Sequence, residues 1–201
     1  VSEPDELIAI DSITDVLCYG YHEGAISLTI TGGTPGYSYA WIGPNFTATT
    51  KDINGLASGI YIVDITDQKG CLLQESYNIT EPQFPITSNM VGTNILCNSS
   101  PTGSIDLTVN GGTSPYTYLW NTADTTEDIS NILAGSYNVT IIDANGCDTN
   151  AAFTITEPNP INWSAISSNL LCFNDNTGSI NLTVTGGTPG YTFSWTGPNG
   201  Y

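Results

Sequence analysis

Basic residues are almost missing from this chain. Against 19 Asp and Glu stand only Lys51 and Lys69, with no arginine and one histidine, His22, for a formal charge of -17 over 201 residues. Neutralising phosphates takes clustered Lys or Arg, so a nucleic-acid partner is excluded. An anionic membrane surface is excluded for the same reason. No run approaches ~18 apolar residues, so no membrane insertion through a helix is expected. Charge of either sign is scarce, at 10% of residues, where ordinary domains carry about 25%. Thr, Ser, Asn and Gly take its place, a composition suited to strands and tight turns. With 39% hydrophobic and 10% aromatic residues, the chain can still bury a core.

What is present is a repeat, the first thing to seek in such a sequence. GAISLTITGGTPGYSYAW from Gly24, GSIDLTVNGGTSPYTYLW from Gly103 and GSINLTVTGGTPGYTFSW from Gly178 align without gaps. Six positions before each glycine stands a cysteine: Cys18, Cys97 and Cys172. A second block occurs twice, as IYIVDITDQKGC ending at Cys71 and SYNVTIIDANGC ending at Cys147. Glu-Pro pairs at Glu3-Pro4, Glu81-Pro82 and Glu157-Pro158 mark the joints. The frame divides the chain into 1–4, the end of a preceding repeat; 5–82 and 83–158, two full repeats; and 159–201, part of a third. It reads as an excerpt from a longer array.

Within a repeat the pattern alternates with period two. Ile105, Leu107 and Val109 point one way, Ser104, Asp106 and Thr108 the other; Tyr116, Tyr118 and Trp120 repeat it. That is the signature of half-buried strands, and the Gly-Gly and Asn-Gly pairs punctuate them as turns. Several short strands per ~75 residues predict an all-β chain of tandem Ig-like or fibronectin-like antiparallel β-sandwiches. The recurring Trp41, Trp120 and Trp195 close alternating aromatic strands and are expected in the core. The entry to Tyr61 and Tyr137 resembles a tyrosine corner, whose hydroxyl bonds back to the backbone.

Taken in order, Cys-x5-Gly-[SA]-Ile, Thr-Gly-Gly-Thr-Pro-Gly-Tyr, Trp, Gly-x-Tyr-x-Val and Asp-x-x-Gly-Cys resemble the SprB-type repeat of giant Bacteroidetes surface adhesins, including those of gliding motility. The resemblance spans essentially the whole chain; the second repeat departs from it only at Asn110 and at Ser114-Pro115. It implies an exported, extracellular cell-surface protein, carried out by the type IX secretion route.

Five cysteines in a short repetitive chain point to disulfides in an oxidising compartment. The natural pairs are Cys18–Cys71 and Cys97–Cys147, each inside one repeat, with no partner in sequence for Cys172. Zinc is disfavoured because there is no Cys-x-x-Cys and only one His. Asp67 and Asp143 are expected to shape turns through Asx-type hydrogen bonds. Calcium is the one cofactor the acids allow, with Glu3, Asp5, Glu6, Glu81 and Glu157 as its weak candidates at the joints.

Catalysis finds no support. The only histidine sits in one repeat, between Tyr21 and Glu23, and no Ser-His-Asp or Cys-His set recurs. Contact surfaces are better sought where content varies inside a fixed frame, in the loops YGYHE, NSSPT and FNDNT between Cys and Gly. Tyr21 and His22 there, and the singular Trp163, are the candidate ligand contacts. The leading expectation is a non-enzymatic stalk and adhesive segment, with neighbouring repeats and surface polysaccharide or substratum as partners. A glycan-binding module array is the alternative.

Overall fold

The computed structural model describes residues 4–173 and 175–197. Among them all regular structure is strand. The first repeat folds as β1 (Ile8–Thr14), β2 (Gly24–Thr31), β3 (Ser38–Gly43), β4 (Phe46–Ala48), β5 (Ile53–Leu56), β6 (Gly59–Thr66) and β7 (Leu72–Ile79). One sheet runs β1-β2-β5 and the other β4-β3-β6-β7, with antiparallel pairing throughout. This is an Ig-like sandwich. Alternation supplies its core: Ile26 and Leu28 from β2, Trp41 from β3, and Tyr61, Val63 and Ile65 from β6 are all buried. The expected tyrosine corner forms, and a second polar tether accompanies it. The Tyr61 hydroxyl donates to the Ala57 carbonyl at 3.0 Å, and the Trp41 indole N–H to the Thr50 carbonyl at 2.9 Å.

The second repeat follows the same plan with β8 (Thr87–Thr93), β9 (Gly103–Asn110), β10 (Thr117–Trp120), β11 (Ile129–Ile132), β12 (Gly135–Ile142) and β13 (Asp148–Ile155). Its sheets run β8-β9-β11 and β10-β12-β13. No counterpart of β4 occurs among the described residues, because the loop after Trp120 is three residues shorter than that after Trp41. A turn closed by Ala123 N–H on the Trp120 carbonyl fills the gap. Tyr137 donates to the Leu133 carbonyl at 2.8 Å, and Trp120 to the Thr126 carbonyl at 2.9 Å. Thus Trp41 and Trp120 take the core places expected of them. Trp195 does not: it is 49% exposed, in a third region where β14 (Asn162–Ser168) pairs with β15 (Ser179–Thr185).

The Gly-Gly pairs have a reason the sequence did not disclose. Gly32, Gly111 and Gly186 all hold φ near +75° (74°, 76° and 77°). A Cβ on them would overlap the carbonyls of Glu6, Pro85 and Pro160. The chain entering each repeat therefore lies directly on the turn, where only glycine leaves room. The next glycine fixes that approach: Gly33, Gly112 and Gly187 donate N–H to Asp5, Phe84 and Asn159 at 2.8, 2.9 and 2.7 Å.

The chain divides into two compact units. One comprises Val1–Ser88, Val109–Thr117 and Thr140–Thr149; the other Asn89–Thr108, Tyr118–Val139 and Asn150–Tyr201. The first unit holds the first sandwich together with the Gly-Gly turn and the Asp-x-x-Gly-Cys turn of the second repeat.

Candidate functional site

Two kinds of loop carry the chemistry, and each is built the same way in both full repeats. The first kind lies between β1 and β2 and holds Cys18. Val16 N–H bonds the Thr80 carbonyl at 2.9 Å and Tyr21 N–H the Cys18 carbonyl at 3.0 Å, while Asp15 accepts from Thr80 N–H at 2.7 Å. Glu81 completes the frame by accepting from Gly20 N–H and from the Ser58 hydroxyl, both at 2.7 Å. These donors, the Gly20 N–H foremost, hold the Glu81 carboxyl below the usual carboxylate range, and the nearby His22 adds to the effect. Around Cys97 the bonds recur: Ile95 N–H to Thr156, Ser100 N–H to Cys97, Thr156 N–H to Asn94 and Ser99 N–H to Glu157.

The calcium candidates fall at two places in the fold, the cysteine loops and the first Gly-Gly turn. Glu81 and Glu157 each spend an oxygen on backbone N–H in a cysteine loop. Asp5 gives its carbonyl to a Gly-Gly turn, and the Glu6 carbonyl packs on the same turn. Glu3 lies outside the described residues. Among those described, no three His, Cys, Asp or Glu side chains meet in a way that could hold a metal. The role of the recurring Glu went unread because it joins residues 61 apart; the recurring Glu-Pro pair was its only signal.

The second kind of loop is the Asp-x-x-Gly-Cys turn. Asp67 is buried, and its carboxylate accepts from Thr34, Lys69 and Cys71 N–H, each at 2.8 Å. Asp143, equally buried, accepts from Thr113, Asn145 and Cys147 N–H, each at 2.9 Å. The expected Asx-type turns are thus present, with a third bond tying each to the Gly-Gly turn. The N–H donors, led by Thr34, lower the Asp67 carboxyl from its ordinary value. Folded Asp67 and Glu81 thus titrate below their unfolded values of about 3.9 and 4.3. Their contribution is full above those values and is lost as pH falls through the lower folded ones. Melting temperature should hold steady from pH 7 to about 5 and fall below about 4, with Asp67→Asn showing a shallower fall. Equal slopes for the variant and the unaltered chain would contradict this account.

The cysteines pair differently from the sequence expectation. Neither Cys18–Cys71 nor Cys97–Cys147 forms; Cys18 is bonded to Cys147, with Cα atoms 5.6 Å apart, and Cys71, Cys97 and Cys172 are exposed free thiols. The reason is strand length. Cys18 lies at the end of the first sandwich where β7 finishes, beside Thr80 and Glu81, whereas Cys71 lies where β7 begins. Eight residues of β7, at ~3.3 Å each, put roughly 26 Å between those ends, and a disulfide tolerates at most about 7 Å between Cα atoms. The eight residues of β13 likewise intervene between Cys147 and Thr156, where the Cys97 loop is held. The bond instead joins the first repeat to the second. Beside it the Asn145 side chain donates to the Leu17 carbonyl at 3.0 Å.

A cavity of about 160 Å³ adjoins this bond, lined by Tyr19, Tyr21, Phe84, Pro85 and Ile86 among others. Tyr21 is therefore at the site, exposed, with His22 next to it. Trp163 belongs to the other unit. It sits on β14 opposite Val184, the register that Ala9 and Ile30 hold in the first repeat, and is 72% exposed. With Leu182, Tyr191 and Phe193 it lines an open groove. No helix among the described residues is long and apolar enough to cross a membrane.

The family model for the SprB repeat matches residues 10–46, 91–125 and 164–200, just over half of the chain. Each match runs through a cysteine loop and on to a recurring tryptophan. Among solved structures, that of the amphioxus IgVJ-C2 molecule is similar at 13% identity, over 77% of this chain and 98% of that one, with a TM-score of 0.30. A likeness that weak carries no argument. No curated protein matches.

Proposed function

The chain belongs to the SprB-repeat family, and from that premise we propose that it is a stalk and adhesive segment of a large secreted surface adhesin, linked to attachment or gliding. One observation carries the reading: the recurring side chains do the same structural work in each full repeat. Asp67 and Asp143 build turns, Glu81 and Glu157 brace cysteine loops, and Tyr61 and Tyr137 close corners. Residues so employed serve the fold, which supports a structural module that acts through its repetition. Its disulfide fits an oxidising exterior. Dominant negative charge favours solubility and opposes collapse of one copy of the array onto another, within a screening length of ~8–10 Å.

The exposed aromatics Tyr19 and Tyr21 beside the cavity favour a second reading, recognition of a surface glycan, since apolar ring faces with polar tips suit such contacts. A glycan array of the purified chain and of Tyr21→Ala, His22→Ala and Trp163→Ala decides between them. The stalk reading expects no signal above background for any of the four. A specific signal lost in one variant would replace it with the glycan reading. Labelling of intact producing cells with an impermeant reagent should mark the protein before permeabilisation; protection until lysis would overturn surface display.

A further inference from the structure

We propose that the Cys18–Cys147 bond is one link of a repeating series, in which each repeat is bonded to the next and tension bypasses the stretch of chain enclosed between the two cysteines. The pairing rests on equivalence of environment. Cys97 is held by the same set of hydrogen bonds as Cys18, down to the left-handed residue two places on: Gly20 at φ 74° and Ser99 at φ 58°, each donating N–H to the Glu of a Glu-Pro pair. Cys71 is held as Cys147 is, with N–H on the Asp four residues before and its carbonyl accepting from that Asp's N–H. Both thiols are exposed. Cys97 is thus built to take an Asp-x-x-Gly-Cys cysteine from a following repeat, and Cys71 a loop cysteine from a preceding one.

Each link forms by exchange with a disulfide oxidant, such as a thiol–disulfide oxidoreductase. One cysteine thiolate attacks the oxidant's disulfide and releases its first thiolate. The second cysteine then attacks the mixed disulfide and releases the other. Two protons and two electrons leave the pair, and the oxidant is reduced to a dithiol.

The mechanical consequence follows from the span. Cys18 and Cys147 are 129 residues apart in sequence, a stretch that would extend to about 440 Å at ~3.4 Å per residue. Force arriving at Cys18 crosses two sulfur atoms to Cys147, so the enclosed chain cannot lengthen even if both sandwiches unfold. Only this tension role rests on the proposed stalk; the pairing stands independently.

Single-molecule pulling on the chain held by its two ends tests the link. The expected result is a total lengthening about 440 Å shorter without reductant than with it, in one reductant-dependent increment. Pairs inside each repeat would instead hide two increments of roughly 180 and 170 Å. Those two increments, or equal lengthening in both conditions, would overturn the proposal. Peptide mapping of the unreduced protein as secreted tests the series. Cys97 should be recovered joined to an Asp-x-x-Gly-Cys peptide of another repeat; a Cys97–Cys147 peptide, or Cys71 and Cys97 both recovered as thiols, would refute it. Should the links hold while the glycan array gives a specific signal, the stalk reading fails and the pairing stays.

Discussion

Cys18→Ser and Cys147→Ser should each lower the unfolding free energy by about 5 kcal/mol, while Cys71→Ser and Cys97→Ser should change it by less than ~0.5 kcal/mol. The contrast arises because the bond closes a loop of 129 residues. Restraining a loop of that size removes roughly 5 kcal/mol of chain entropy from the unfolded ensemble. Cys71 and Cys97 are exposed thiols that close nothing within this chain. A domain of ~75 residues has only about 4–11 kcal/mol in all, so the loss is large on that scale. Urea titration of the four variants, each oxidised under the same conditions, measures it. Equal destabilisation by Cys18→Ser and Cys71→Ser would mean that those two residues pair with each other.

The second large effect belongs to Trp120. Its side chain is 1% exposed, and its indole N–H satisfies the Thr126 carbonyl in the shortened loop that stands where the first repeat has β4. Trp120→Ala should cost about 3–5 kcal/mol, through the cavity it leaves and the partner it abandons. That approaches the whole stability of one sandwich. The second repeat should then melt well before the first, where Trp41 reports on an intact core. Near-UV circular dichroism during urea titration should show two transitions in place of one. A variant that kept a single transition at the original midpoint would show that Trp120 does not organise its core.

The strands were legible in the sequence because burial on one face imposes a period of two, and the recurring motifs gave that pattern twice over. The tyrosine corners and the Asp turns were legible for a related reason: their bonds join residues within four positions, so Ala57 with Tyr61 and Asp67 with Cys71 are local events. What failed was long-range. Glu81 braces Gly20 from 61 residues away, and the carbonyl of Glu6 that forbids a side chain at Gly32 belongs to a different element. The cysteine pairing was nevertheless within reach. LLQESYNI alternates from Cys71 to the Glu-Pro joint, and eight extended residues must carry a cysteine across the full height of a sandwich. Nearness along the chain favours pairing within a repeat, and that rise excludes it.

A sandwich whose two cysteines sit at unlike ends has a front and a back. The front offers a loop thiol braced by Glu, the back an Asp-bound turn thiol, and only the unlike pair occurs in the bond that forms. Contacts of this heterologous kind do not close on themselves as a twofold dimer does; repeated without a closing rotation, they run on in one sense. Two backs brought together would present two turn thiols and no loop cysteine, so a series built on the bond seen here keeps one direction along the chain.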